Sequence, residues 1–368
     1  MTPQLNALDL FAGSGWGVAC HRLGIDEHGV EIMDEAVATR DAAGFSTIFR
    51  DVWDGLLSES FLSAAAYDLL ADYDLLIASP PCQTFSAAGK GAGRKALDEV
   101  LGLIRARVWA DPFLLKRSTS GLDPRTALVL VPLAYIRRDR PRFVALEQVP
   151  SVLPVWEAYA DVMRSMGYSV AVGLLNAEQY GVPQTRRRAI LVARRDGAPA
   201  KLPTPTHSRY YSRDPQRLDE GVLPWVSMAD ALGWGMERRP SPTVTGGGTE
   251  TGGAEPIAKL ARYTARADWV ARKPQTAKRT ALYGTRPDRR ADSPAFTLVG
   301  HDGHPRGGFE WVDAKTGESQ RLSPEECAVL QSYPRPFPFQ GTKTRRFLQI
   351  GNAVPPLLAE AILSTFLD

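Results

Sequence analysis

Over the first part of the chain, short apolar runs alternate with stretches whose apolar residues recur at helical spacing. Leu8-Asp9-Leu10-Phe11 reads as a first strand, and Gly29-Val30-Glu31-Ile32 as a second that closes on an acid. Leu75-Leu76-Ile77-Ala78, Phe143-Val144-Ala145-Leu146 and Ala189-Ile190-Leu191-Val192-Ala193 are continuous apolar runs, the pattern of strands buried on both faces. Between Arg94 and Ala110, Leu97, Val100, Leu101, Ile104 and Val108 fall at helical intervals, and Leu128, Val129, Leu133 and Ile136 predict a further helix. Strands and helices in alternation predict an α/β domain, a Rossmann-like and largely parallel sheet with helices on both faces.

From about Pro199 the periodicity weakens, and proline, glycine, arginine and aromatic residues dominate. Arg239-Pro240-Ser241-Pro242-Thr243-Val244-Thr245-Gly246 and Ala291-Asp292-Ser293-Pro294-Ala295-Phe296-Thr297-Leu298-Val299-Gly300 echo each other, each a turn feeding a short strand. A smaller, loop-rich second domain is expected here. Ser323-Pro324-Glu325-Glu326 is a capping-box pattern with proline at the first helical position. A final helix from Pro355 to Phe366 should pack back onto the first domain. The expected division is 1–199, 200–320 and 321–368.

With 368 residues the chain exceeds a typical single core, in keeping with two domains. Its 44% hydrophobic and 23% charged residues are those of an ordinary globular protein. It has no run of about 18 apolar residues, so no membrane span is expected. The start, Met1-Thr2-Pro3-Gln4-Leu5-Asn6, lacks the basic and apolar regions of a signal peptide. Cys20, Cys82 and Cys327 are far apart, odd in number and without metal spacing, so neither a disulfide nor a bound metal is expected, and a reducing cytoplasm fits.

The net charge of +3 is mild, but its distribution is uneven. From Ile257 to Ala291 stand ten basic residues, Lys259, Arg262, Arg266, Arg272, Lys273, Lys278, Arg279, Arg286, Arg289 and Arg290, against Asp268 and Asp288, a net +8. Tyr263, Trp269 and Tyr283 lie among them. A solvated surface accounts for such a run; a polyanionic partner is the sharper alternative.

Candidate chemistry gathers where strands end. Leu8-Asp9-Leu10-Phe11-Ala12-Gly13-Ser14-Gly15-Trp16-Gly17 is a strand entering a glycine-rich turn, which lets a ligand approach the backbone. Glu31, closing the second strand, can take both hydroxyls of a ribose, and Asp51-Val52 follows a third apolar piece in a place suited to an adenine edge. The dinucleotide fingerprint G-x-G-x-x-G is not met, which favours a nucleoside without phosphates, such as S-adenosylmethionine; a plain strand-to-helix turn would look the same. In Ser79-Pro80-Pro81-Cys82-Gln83-Thr84-Phe85-Ser86, two prolines fix the chain ahead of a thiol at the end of a buried strand. Small residues follow, Ala87-Ala88-Gly89-Lys90-Gly91, as in a hinged loop. A packing cysteine is the ordinary case; this mounting fits a nucleophile. Glu147 ends the next strand at the same sheet edge, where a carboxyl can hold a ring nitrogen and make the adjacent carbon electrophilic. Its plainer role is an ion pair with one of Arg186, Arg187 and Arg188, which precede the following strand.

Taken together these segments resemble the DNA (cytosine-5)-methyltransferases, from Leu8 nearly to the C-terminus and in that family's motif order. The matching pieces are DLFAGSG (Asp9 to Gly15), PPCQTFS (Pro80 to Ser86), LEQV (Leu146 to Val149), YGVPQTRRR (Tyr180 to Arg188), RLSPEECAVLQSYP (Arg321 to Pro334) and QIGNAVPP (Gln349 to Pro356). The resemblance implies an S-adenosylmethionine-dependent enzyme, without a metal, that releases S-adenosylhomocysteine. It implies Cys82 attacking C6 of a flipped cytosine, with Glu147, Arg186 and Arg188 completing the catalytic set. It implies cofactor contacts from Phe11, Ala12, Gly13, Ser14, Gly15, Glu31, Asp51, Val52, Pro80, Leu128, Asn352 and Val354. Double-stranded DNA would be held by Gln83, Ser86, Lys90 and, in the 200–320 target recognition domain, Arg262, Arg266, Arg272, Lys273 and Arg279. A monomer is expected, bacterial or phage-encoded and near the nucleoid, with a cognate restriction endonuclease as a partner where one exists.

Two departures stand out. Gln148 occupies the place where the family usually has asparagine, and the stretch from Gly89 to Asp123 is longer than in compact members. That stretch, with Arg94, Lys95, Arg105, Arg107, Lys116 and Arg117, would extend a mobile loop over DNA. A tRNA cytosine-5 methyltransferase and a DNA-binding homologue without activity remain alternatives; the basic 257–291 segment favours DNA over RNA, and the presence of Cys82, Glu147, Arg186 and Arg188 speaks against an inactive homologue.

Overall fold

Seven strands, joined mostly through helices, form one sheet in the computed structural model, which describes residues 5–57, 73–81, 92–233, 269–272, 288–298, 310–314 and 319–367. In chain order the first half runs β1 (Asn6–Leu10), α1 (Gly15–Leu23), β2 (Asp26–Val30), α2 (Asp34–Ala42), β3 (Ser46–Phe49), α3 (Asp54–Leu57) and β4 (Leu75–Ala78). It continues with α4 (Ala92–Arg105), α5 (Pro112–Ser118), α6 (Pro124–Ala127), α7 (Val131–Asp139), β5 (Phe143–Gln148), α8 (Leu153–Ser165), β6 (Ser169–Asn176) and β7 (Arg187–Arg194). The sheet order is β3-β2-β1-β4-β5-β7-β6; every described pairing is parallel except those of β7, which runs antiparallel to β5 and to β6.

Alternate residues of each strand feed the two layers of core, as a period of two requires. Leu8, Leu10, Leu76, Val144, Leu146 and Leu191 pack with Tyr135, Trp156 and Tyr159 of α7 and α8. Ala7, Leu75, Ile77, Ala145, Ile190 and Val192 face the other way, toward Trp16 of α1. The expected doubly covered, mainly parallel sheet is present, with strand ends shifted by up to three residues. The edge strand β6 was not foreseen, although Val170 to Leu175 is an apolar run; most of its residues are only half-buried.

The rest of the chain holds α9 (Met228–Leu232), β8 (Trp269–Arg272), β9 (Arg289–Arg290), β10 (Glu310–Asp313), β11 (Ser319–Arg321), α10 (Pro324–Leu330), α11 (Lys343–Asn352) and α12 (Pro356–Ser364). Strands β11-β10-β8-β9 form a small antiparallel sheet, and Trp311, Ala271 and Leu298 pack with Met228, Leu330, Phe347 and Ile350. The amides of Met228 and Ala229 donate to the carbonyls of Ser293 and Ala291, at 2.9 and 2.7 Å, so the chain returns at 291 to where it departed at 229. Of the two echoing segments, 239–246 lies outside the described residues. The other docks on the turn before β7: Ala295 bridges Gln184 in parallel, and the Thr185 amide donates to the Ala295 carbonyl at 2.9 Å.

The Ser323–Glu326 capping box forms, with both of its hydrogen bonds. Helix α12 packs on α1, and Leu358 and Ile362 enter the core layer of Trp16. The stretch Lys343–Ser364 has the length and mean hydropathy of a membrane span, but 61% of it is buried inside the protein. It is also broken between α11 and α12, where Ala353 is extended.

The long stretch after Gly89 departs from expectation. From Leu97 onward it packs onto the catalytic core instead of extending a free loop. Val100, Ile104, Trp109 and Leu115 are buried, and the Trp109 indole donates to the Ile104 carbonyl at 3.0 Å. Asp111 caps α5 through the amides of Phe113 and Leu114. Lys116, expected over DNA, instead lies 5.4 Å from the Trp53 ring centroid, and Arg107 lies 5.7 Å from that of Trp109.

Candidate active site

The chain leaves β1 through Phe11, whose φ of +62° is left-handed in a non-glycine residue, followed by Gly13 at +49°. Such strain persists only where surrounding contacts fix it, and here they do. The Gly13 amide donates to Glu31 Oε2 at 2.9 Å, while Glu31 Oε1 accepts from the Met33 amide at 2.8 Å. From beneath, Arg40 Nη1 donates to the Gly13 carbonyl at 3.1 Å. Arg40 is fully buried and holds both oxygens of Glu27 through Nη2, at 2.8 and 3.0 Å. Its guanidinium crosses the backbone at Gly29, where a Cβ would stand 2.3 Å from Nη2. Asp9 is buried beside this pair, and burial, reinforced by the Glu27 charge, pushes its carboxyl well above the usual range.

At the far side of the turn, a Cβ on Gly15 would stand 2.1 Å from the Val354 carbonyl oxygen. The glycine there is a requirement of close approach. Phe11, Val52 and Leu128 share one apolar cluster, and the Val52 carbonyl is held by the Tyr135 hydroxyl at 2.7 Å. Asp51 accepts from the Trp53 amide at 3.0 Å. Ala12 is buried, Pro80 is buried at the end of β4, and Asn352 is exposed at the end of α11. The sequence-nominated cofactor residues thus line the carboxyl ends of β1, β2 and β4 with the closing turn of α11. A glycine cradle with a carboxylate at its rim and an apolar cluster beyond suits a nucleoside such as that of S-adenosylmethionine.

One strand further along, Glu147 is 4% exposed and its Oε1 lies 2.7 Å from Arg188 Nε. Because β7 is antiparallel, its beginning reaches the edge where β4 and β5 end, and acid and arginine meet there. Gln148 turns its amide group to the Pro80 carbonyl, and its side-chain oxygen accepts from the Val149 amide. The residue that departs from the family pattern therefore pins the backbone two positions before Cys82.

Arg186 is placed differently from the expectation that it lines the catalytic pocket. It is 2% exposed and grips backbone carbonyls: Nη1 donates to Leu298 and Gly351, both at 3.1 Å, and Nη2 to Ala353 at 3.0 Å. Gln184, also buried, donates to the Gln331 side chain and accepts from the Leu298 amide. These bonds join the start of β7, the docked 293–298 segment and the α11–α12 turn. Arg272, expected on DNA, forms a two-bond pair with Asp288 at 2.7 and 3.0 Å, and half of its side chain is exposed.

Comparisons with known proteins place the chain in a family. The family model described as C-5 cytosine-specific DNA methylase matches residues 5–105 and 116–367. The chain belongs to that family. Similar curated proteins include the type II methyltransferase M.SacI of Streptomyces achromogenes, 26% identical over 81% of this chain and 72% of its own length. M1.HphI of Haemophilus parahaemolyticus is 25% identical over 99% of this chain and 87% of its own. Among solved structures, S. pombe Dnmt2 methyltransferase shares the fold, with a TM-score of 0.57 at 15% identity, covering 99% of this chain and 98% of that one.

As a C-5 cytosine-specific DNA methylase the chain is an enzyme, and the family implies S-adenosylmethionine as methyl donor and DNA as substrate. Cys82, Gln83, Ser86, Lys90, Arg262, Arg266, Lys273 and Arg279 lie outside the described residues. The other two cysteines are buried, and burial pushes the thiols of Cys20 and Cys327 well above the usual range, which suits packing rather than attack. Sequence reasoning missed Arg40 and gave Tyr333 no role: Arg40 stands in a helix outside every motif, Tyr333 lies in RLSPEECAVLQSYP with no part assigned to it, and only the fold brings each to the glycine turn.

Proposed function

We propose that this enzyme transfers a methyl group from S-adenosylmethionine to C5 of a cytosine flipped out of double-stranded DNA, through a covalent bond from Cys82. The Glu147–Arg188 contact carries this reading: it stands an acid, oriented and compensated, at the sheet edge where β4 ends, two residues before Pro80. The Cys82 sulfur forms a bond to C6, and Glu147, holding N3 and the exocyclic amino group, draws the displaced electron pair toward the ring nitrogen. C5 becomes nucleophilic. Bound in the glycine cradle, S-adenosylmethionine supplies an electrophilic methyl group and leaves as S-adenosylhomocysteine. A base takes the C5 proton, its electron pair restores the C5–C6 double bond, and the sulfur departs from C6. Gln148 keeps the Pro80 carbonyl in place during attack, and Arg188 keeps the carboxyl of Glu147 turned to the base. Flipping is required because neither face of C5–C6 is open inside a stacked duplex.

On this reading residues 1–199 and 321–368 form the catalytic body and 200–320 reads the DNA, with Arg262, Arg266, Lys273 and Arg279 the contacts that the net +8 segment offers, and with Gln83, Ser86 and Lys90 on the loop that closes over it. Arg272 would join them by exchanging Asp288 for a phosphate. A monomer suffices for the reaction, and the type II names of the relatives favour a role beside a restriction endonuclease.

Tritiated S-adenosylmethionine offered with duplex DNA and with tRNA tests the substrate. Label in DNA supports the reading, label in tRNA alone moves it to RNA, and no label in either overturns it. Duplex containing 5-fluorocytosine should trap the wild-type protein covalently and leave Cys82→Ser untrapped; an adduct with the variant would refute the nucleophile.

A further inference from the structure

Ser14 is the N-cap residue of α1, yet its hydroxyl makes no bond to the helix end. A serine there ordinarily accepts from an amide of the first turn, a contact worth about 1 kcal/mol in stability. Instead the Ser14 Oγ lies 2.9 Å from the phenol oxygen of Tyr333, and both residues are buried. Tyr333 follows α10, far along the chain. Its ring belongs to a cluster with Phe337 and Phe339, at 4.7 and 5.0 Å between centroids, and Phe337 meets Phe45, which lies under Gly17 of α1. The ring is thus held by its own aromatic neighbours, and its hydroxyl is left to reach the cofactor turn.

The two residues before Tyr333 point elsewhere. Gln331 accepts from Gln184 and donates to the Ala353 carbonyl at 2.7 Å. Ser332, with a φ of +71°, accepts from the Leu357 amide at 3.1 Å. Three successive residues therefore touch the turn before β7, the start of α12 and the glycine turn. That turn is held from four sides: Glu31 on the Gly13 amide, Arg40 on the Gly13 carbonyl, Val354 against Gly15, and Tyr333 on the Ser14 hydroxyl.

We infer that Tyr333 is a positioning residue for the methyl donor: its hydroxyl draws the Ser14 side chain away from α1 and sets the cofactor turn from the C-terminal segment. This rests on the proposal that the glycine turn binds S-adenosylmethionine. It adds that the same short segment links the cofactor turn to Gln184 and the target-side elements docked on it, so that occupation of the two sites is coupled. Coupling of this kind is reciprocal.

Isothermal titration with S-adenosylhomocysteine tests it on the full chain, without turnover. Wild type should bind. Tyr333→Phe keeps the ring and removes one buried hydrogen bond, so affinity should fall about three- to tenfold. Ser14→Ala should produce a similar loss, and the double variant should be no weaker than either single one, because both remove the same contact. In turnover the KM for S-adenosylmethionine should rise more than kcat falls, and the tightening of S-adenosylhomocysteine binding by saturating duplex DNA should shrink in Tyr333→Phe. Unchanged affinity in Tyr333→Phe, or losses that add in the double variant, would overturn the inference while leaving the cofactor site standing. Failure of wild type to bind S-adenosylhomocysteine would instead remove the site itself. Should Tyr333→Phe not fold, Ser14→Ala and Ser14→Gly put the same question from the other partner.

Discussion

Glu147 and Arg188 meet at 2.7 Å because β7 runs opposite to β5, so one strand ends at the edge where the other begins. The pair is almost fully enclosed, with side-chain exposures of 6% and 11%. Enclosed charges depend on each other: removing either partner leaves the other desolvated and uncompensated.

Glu147→Gln should therefore lower kcat by about 10²- to 10⁴-fold, the range for a lost acid–base group. Arg188→Met should impair turnover and also lower the melting temperature, since it strands a buried carboxylate. Single-turnover methylation and thermal melts of the two variants separate these effects. Equal activity of Glu147→Gln and wild type would remove Glu147 from the chemistry.

Two glycines of one turn should respond differently to alanine. At Gly15 the added carbon would meet the Val354 carbonyl at 2.1 Å, so Gly15→Ala must displace the α11–α12 turn and abolish binding of S-adenosylhomocysteine. At Gly13 nothing lies within 4 Å, and the cost is that of a left-handed backbone, on the order of 1 kcal/mol. Calorimetry should find Gly13→Ala weakened by about tenfold or less and Gly15→Ala silent.

Gln148 should act on rate rather than on cofactor affinity. Gln148→Ala frees the Pro80 carbonyl and slackens the backbone leading to Cys82. The expected outcome is about a tenfold fall in the rate of 5-fluorocytosine trapping, with S-adenosylhomocysteine affinity unchanged. A loss of cofactor affinity with normal trapping would show that Gln148 serves the other substrate.

A pH effect follows from Glu178. Burial raises its carboxyl from 4.5 to about 7, against a downward pull from two backbone amides and from Arg209 and Arg289. A raised acid favours the folded state most when protonated, so its contribution is complete below about pH 4.5 and is lost as pH rises through 7. Glu178→Gln, which cannot ionise, should match wild type at pH 4.5 and be more stable at pH 8, by up to on the order of 3 kcal/mol. Denaturant melts at the two pH values measure this; a constant difference between them would refute it.

Much of the catalytic half was legible because its information is local. Leu75 to Ala78 and Phe143 to Leu146 are apolar on both faces, and their ends announce Pro80 and Glu147. The glycine turn and the Ser323 capping box are equally local signals. What escaped depended on distant parts of the chain. The family resemblance set Arg186 beside Arg188, but two residues apart at the entrance to a strand need not share surroundings, and it faces the Leu298 and Gly351 carbonyls. The stretch after Gly89 was read by its basic residues, although Val100, Ile104 and Leu115 already carried the pattern of a packed helix pair.

The hydrogen bonds from Met228 and Ala229 to Ser293 and Ala291 close the chain between them into a loop. Departure and return share one clasp, and among the described residues no strand of the seven-stranded sheet is drawn from between them. The chain between α9 and β8 can be lengthened or shortened without altering the register of the seven-stranded sheet, at a closure cost of only about 0.6 kcal/mol for each doubling of its length. On the proposed reading, a change of target sequence falls to this stretch, while the Glu147–Arg188 contact on the sheet stays as it is.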